Sequence, residues 1–212
     1  MSIGIRFTGR EGDRLTPGDL SGKSKWWGAP DLPVFVDYPT DDEGNPLTFV
    51  CQIRLEDLNG LPGAELLPGR GMLYFFAAIG EYIPALDGDS AGHNGIGEWS
   101  GDAFRVLYSP VTEGLEPFEI LYEDDDTPAY LPAEGITFEA AADAYDSFKL
   151  LGTPYYEEIS SELLGYVNLL QIDENDDWGL TLYDCGMICF LIRPEDLRDL
   201  RLDRVKVYFH SF

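Results

Sequence analysis

The chain has 212 residues, 44% of them hydrophobic and 13% aromatic, with a formal net charge of −25 and a pI near 4.1. That apolar content supports a sizeable buried core and argues against disorder, while the negative field argues against nucleic acid or an anionic membrane as partner. The apolar runs, such as 72–79 and 187–192, fall far short of the roughly 20 residues of a membrane span, and MSIGIRFTGREGDR has no secretory h-region, so a cytoplasmic protein is expected.

Taken along the chain, alternating or aromatic and β-branched runs predict strands over residues 3–7, 47–53, 72–79, 104–108, 118–122, 166–172, 180–183, 187–192 and 205–209. Turn-forming clusters such as TDDEGNP and LDGDSAGHNGIG separate them. A helix is predicted over 138–151. Thr137 caps it, Glu139 and Lys149 complement its dipole, and Phe138, Ala141, Tyr145, Phe148 and Leu151 supply an apolar stripe. A shorter helix is predicted over 157–164. These elements give an α+β fold: strand-rich, mostly antiparallel sheets with one or two packed helices, in a single domain spanning 1–212.

A degenerate two-half architecture is an open alternative, because short stretches echo one another. Ile53-Arg54-Leu55-Glu56-Asp57-Leu58 matches Ile192-Arg193-Pro194-Glu195-Asp196-Leu197. In a different register, Gln52-Ile53 precedes Gly71-Met72 as Gln171-Ile172 precedes Gly186-Met187.

Charge is concentrated in the middle of the chain. Residues 71–192 hold two basic and 24 acidic side chains, −22 of the −25. Such a segment attracts a cationic partner, and the candidate contacts are Glu123, Asp124, Asp125, Asp126, Asp173, Asp176 and Asp177. Solvation of an acidic surface explains the same residues without a partner.

Residues that could carry chemistry are few. His93 lies in a Gly-rich stretch and His210 ends a strand, neither in the setting of a base or metal ligand. No G-x-S-x-G, H-E-x-x-H, Walker A or dinucleotide-binding pattern occurs, and no cofactor is expected. Asp173, Asn175, Asp177 and Asp184 follow a D-x-N-x-D calcium-loop spacing, which makes them weak metal candidates. Trp178 stands where the loop needs Gly, however, and strands flank it instead of helices. Cys51, Cys185 and Cys189 are expected as buried thiols in a reducing compartment. Trp26 and Trp27 either plug the core or form a binding surface.

Several ordered stretches resemble the YwqG family, a bacterial domain family of poorly defined function. They are Ser24-Lys25-Trp26-Trp27-Gly28-Ala29-Pro30-Asp31-Leu32-Pro33, Pro46-Leu47-Thr48-Phe49-Val50-Cys51-Gln52-Ile53, Gly71-Met72-Leu73-Tyr74-Phe75-Phe76, Phe104-Arg105-Val106-Leu107-Tyr108, Leu169-Leu170-Gln171-Ile172-Asp173, Tyr183-Asp184-Cys185-Gly186-Met187-Ile188-Cys189-Phe190, and Ile192-Arg193-Pro194-Glu195-Asp196-Leu197. The resemblance implies a mixed α+β fold and no established catalytic residues. Some members are similar to genes beside bacterial polymorphic toxins, which implies an immunity role by association. The expected function is therefore a non-enzymatic protein-binding module, an immunity protein neutralising a basic, nuclease-type toxin through an acidic face. The alternatives are a metal-dependent hydrolase and a small-ligand binding protein.

Overall fold

A computed structural model describes residues 1–10, 20–86, 94–122 and 127–212. Thirteen strands follow one another in it: β1 (Ser2–Arg10), β2 (Lys25–Trp26), β3 (Asp31–Leu32), β4 (Thr48–Arg54), β5 (Met72–Ala77), β6 (Gly97–Glu98), β7 (Phe104–Ser109), β8 (Glu116–Pro117), β9 (Glu134–Ala141), β10 (Lys149–Leu150), β11 (Val167–Ile172), β12 (Met187–Ile192) and β13 (Lys206–His210). The α-helices among the described residues are α1 (Glu157–Glu162) and α2 (Pro194–Arg198), where Pro194 occupies the first turn, in which its missing N–H costs nothing.

Eleven strands form one antiparallel sheet in the order β6-β13-β12-β11-β10-β1-β9-β2-β4-β5-β7, and β3 pairs with β8 in a small second sheet. This corrects the expected α+β class: the described residues are nearly all β, with two α-helices of five and six residues among them. The predicted helix over 138–151 is the main source of the error. Residues 134–141 instead form β9, paired with β1 from Ser2↔Ala141 to Arg10↔Glu134. The helix formers Glu139 to Ala141 are overridden by a long edge-to-edge pairing, and Leu150 of the separate short strand β10 enters the core with Phe148 just before it. Residues 118–122 and 180–183 also differ from expectation. They carry single bridges, Leu121↔Pro128 and Asn175↔Leu180, in place of strands.

The sheet order is interleaved about its centre. β1 and β9 lie side by side; β1 then continues to β10, β11, β12 and β13, and β9 continues to β2, β4, β5 and β7. The first strand of the chain thus sits among the late strands, and β9 among the early ones. The sheet curls until the 202–204 turn packs against β7. Inside the curl, the Phe75 ring of β5 meets Phe190 of β12 edge-on, 5.3 Å between centroids.

Trp26, Trp27, Phe148 and Trp178 fill the centre around Phe7, with Trp26 and Trp178 stacked at 15° and 5.8 Å. Each such aromatic buried stabilises the fold by about 1.5–3 kcal/mol. Trp26 and Trp27 are therefore core residues, essentially without exposed surface.

Candidate functional site

The site is positioned by a polar rung inside the sheet. Lys25 of β2 lies opposite Gln52 of β4, and both are buried. The Lys25 ammonium sits 2.9 Å from Asp31 Oδ2 in β3. Gln52 Nε2 and the Gly22 N–H donate to the same carboxylate oxygen at 2.6 and 2.9 Å, and the Asp31 N–H donates back to Gln52 Oε1 at 2.8 Å. A buried carboxylate is tolerated only with such partners. The hydroxyl of Tyr74 donates to the Asp31 carbonyl at 2.7 Å and fixes the start of the following loop.

A second rung of the same form lies across the central pair. Lys149 of β10 pairs with Gln171 of β11, which pairs with Cys189 of β12. Gln171 Oε1 accepts the Tyr155 N–H at 3.0 Å and its Nε2 donates to the Ser147 carbonyl at 2.8 Å, just as Gln52 treats Asp31 and Lys23. The two lysines open the same six-residue pattern, Lys25-Trp-Trp-Gly-Ala-Pro30 and Lys149-Leu-Leu-Gly-Thr-Pro154. In each, the third residue is left-handed (Trp27 φ 55°, Leu151 φ 59°) and the fourth is a left-handed Gly. A Cβ on Gly28 would stand 2.6 Å from Ala133, and one on Gly152 would run into Ser2.

The chemistry of the rungs diverges. Tyr155 stands where Asp31 stands, so Lys149 has no carboxylate ion pair among the described residues; its ammonium donates to the Asp143 carbonyl at 2.9 Å. Burial lowers its proton affinity.

The loop that Asp31 anchors opens onto the surface. Val34 and Phe35 are 79% and 74% exposed. Beside them lies the segment after β8: Leu32 pairs with Glu116, the Phe118 N–H donates to the Pro30 carbonyl at 2.8 Å, and Tyr38 contacts the Phe118 ring at 5.2 Å. Phe118 and Leu121 are also exposed, giving four large apolar side chains on adjoining loops. Asp37, Glu116 and Glu119 are exposed on the same two segments. Exposed apolar side chains combined with charged ones are the anatomy of a protein interface. Bonds from Tyr122 to Thr127 and Ala129 to Ile120 lead into and out of residues 123–126. The predicted contacts Glu123, Asp124, Asp125 and Asp126, like His93, lie outside the described residues.

The remaining predicted site residues belong to a different turn, after β11. Asn175 closes it: its N–H and carbonyl both bond Leu180, and its Oδ1 accepts the Trp178 N–H at 3.2 Å. Trp178 turns inward, and its indole N–H donates to Glu134 Oε2 at 3.0 Å. This accounts for the residue that breaks the calcium-loop pattern: it is a core anchor. Among the described residues no three His, Cys, Asp or Glu side chains group as a metal site, and Asp173, Asn175, Asp177 and Asp184 are not brought together as one.

Asp176 and Asp177 are exposed, whereas Asp173 is half-buried. Burial, reinforced by neighbouring Glu174 and Asp146, pushes the Asp173 carboxyl up to about 6. Cys185 corrects a further expectation. It is exposed in a left-handed turn, while Cys51 and Cys189 are buried. Burial holds the Cys51 thiol well above its ordinary value and Cys189 at about 12; the Asp184 charge raises Cys185. None of the three is activated as a thiolate nucleophile. The His210 ring packs on Tyr156 at 4.6 Å and beside Phe212.

A family model for a domain of unknown function, DUF1963, matches residues 24–210. The chain belongs to the DUF1963 family. The match spans both lysine rungs and the apolar patch, so these features fall within the DUF1963 domain. No curated protein matches the chain. Among the described residues, no helix of this DUF1963 chain is long and apolar enough to cross a membrane.

Proposed function

We propose that this chain is a YwqG-like, cytoplasmic, non-enzymatic protein-binding module that docks a basic protein. A toxin domain with a cationic, nuclease-type surface fits it best, which makes the chain an immunity protein. The observation that carries the reading is the exposed apolar group Val34, Phe35, Phe118 and Leu121 on two adjoining segments that also expose Asp37, Glu116 and Glu119. Apolar anchors supply affinity, and the acidic side chains supply steering and partner choice. The sequence between Tyr122 and Thr127 carries four further carboxylates, Glu123 to Asp126. The −22 borne by residues 71–192 extends attraction of a cationic partner beyond contact distance.

The test is copurification from the native host, followed by affinity measurement with the isolated partner. A basic protein is expected, with affinity that falls as salt rises. Phe35→Asp places a charge in the apolar centre and should weaken binding by about 2 kcal/mol or more, roughly 30-fold. Capture that is unchanged by Phe35→Asp, or affinity indifferent to salt, overturns the reading.

A further inference from the structure

In a chain this acidic, cationic side chains are scarce, and four of the 14 face one recess. Arg193, Arg201, Arg204 and Lys206 line a cavity of about 440 Å³, together with Tyr166 and two carboxylates. The elements that build it are far apart in sequence. Tyr166 immediately precedes β11, Arg193 follows β12, and Lys206 opens β13.

Three of the cations are neutralised in place. Arg201 pairs with Asp196 at 2.5 Å, Arg204 with Asp203 at 3.4 Å and Lys206 with Glu98 at 2.8 Å. Arg193 differs. Its guanidinium lies 4.8 Å over the Tyr166 ring, and it has no carboxylate partner among the described residues. The Lys206 ammonium stands 5.8 Å from the same ring. One aromatic ring therefore has two cations within about 6 Å of its centroid; the Glu98 hydrogen bond favours the charge on Lys206, and Arg193 opposes it more weakly. The ring attracts each cation, but while Glu98 offsets the Lys206 charge, no carboxylate among the described residues offsets that of Arg193. A divalent anion between the two cations offsets it, with donors of the kind that phosphate oxygens accept.

We propose that this recess binds a small phosphate-bearing anion, held by Arg193 and Lys206 above the Tyr166 ring. Its volume suits a phosphomonoester or pyrophosphate. The strongly negative remainder of the chain repels a polyanion such as nucleic acid, so the ligand is a small molecule. The site is independent of the apolar patch, and each can fail without the other.

The probes are inorganic phosphate, pyrophosphate and phenyl phosphate, titrated into the full chain by calorimetry with ionic strength held constant by sodium chloride. Saturable binding of at least one is expected, with tighter phenyl phosphate binding if the natural ligand carries a ring that packs on Tyr166. Arg193→Ala should weaken it about tenfold or more, the loss of a charge-assisted contact. Arg193 is exposed and lacks an ion pair, so the variant keeps its fold, which its melting temperature checks. Arg198→Ala, on an exposed position of α2 outside the recess, serves as the charge control and should bind as the parent does. No saturable heat with any probe up to about 10 mM, an Arg193→Ala affinity within twofold of the parent, or an equal loss in Arg198→Ala overturns the proposal.

Discussion

Lys25→Met should be among the most damaging single substitutions in this chain. The Lys25 side chain is 6% exposed and that of Asp31 is 0%, so removing the ammonium leaves a carboxylate sealed in the sheet with only the Gln52 and Gly22 donors. Breaking a buried pair by deleting one partner costs about 3–5 kcal/mol, because the survivor keeps its desolvation penalty. For a chain of this length each kcal/mol moves the melting temperature by about 2–4 °C, so a fall of roughly 6–20 °C is expected. Adding Asp31→Asn removes the stranded charge and keeps an oxygen for Gln52 Nε2 and the Gly22 N–H, so the double variant should recover more than half of the loss. Urea unfolding of the four species in this cycle measures the coupling directly. A Lys25→Met cost below about 1 kcal/mol, or a double variant as unstable as the sum of the singles, would refute the reasoning.

The second rung predicts a contrast. Lys149 has no carboxylate partner among the described residues, so Lys149→Met should cost less than Lys25→Met in the same urea assay. Its folded proton affinity is depressed, so the unfolded state binds the proton more tightly and this group's penalty fades as pH rises toward about 10.5. The cost of Lys149→Met relative to the parent should therefore grow across that approach. Asp173, pushed up from 3.8 to about 6, penalises the folded state progressively as pH rises through that interval and fully above it; Asp173→Asn should raise the melting temperature at pH 7.5 and leave it unchanged near pH 3. In the native protein one thiol of three, Cys185, should react with a disulfide reagent, faster in Asp184→Asn, while Cys51 and Cys189 react only after unfolding.

Much of the sheet is legible in the sequence because β5 and β12 are wholly buried apolar runs, and β13 alternates Val207 and Phe209 with half-exposed neighbours. Strands of two residues, β2, β3 and β10, carry no periodicity of their own; their neighbours impose the pairing. The 138–151 stretch misled because a helix-spaced apolar stripe also arises when a strand and a later core segment bury Phe138 and Phe148 separately. Trp178 was legible as the residue that spoils a calcium loop, though its partners in the core were not. The paired lysine rungs left a readable signal, Lys-x-x-Gly-x-Pro at both 25–30 and 149–154. The patch around Phe35 and the recess around Arg193 depend on segments brought together only by folding, and no spacing announces them.

The exchange of first strands at the centre of the sheet bears on how the chain can be cut. A break in the loop between Ser109 and Glu134 would leave an early fragment that keeps β1 yet loses its neighbours β9 and β10, and a late fragment in which β9 has lost β1 and β2. Each piece would expose a raw strand edge that the other is shaped to cover. Separately expressed, the two should remain unfolded or aggregate; mixed, they should reassemble, because the clasp between β1 and β9 belongs to neither alone.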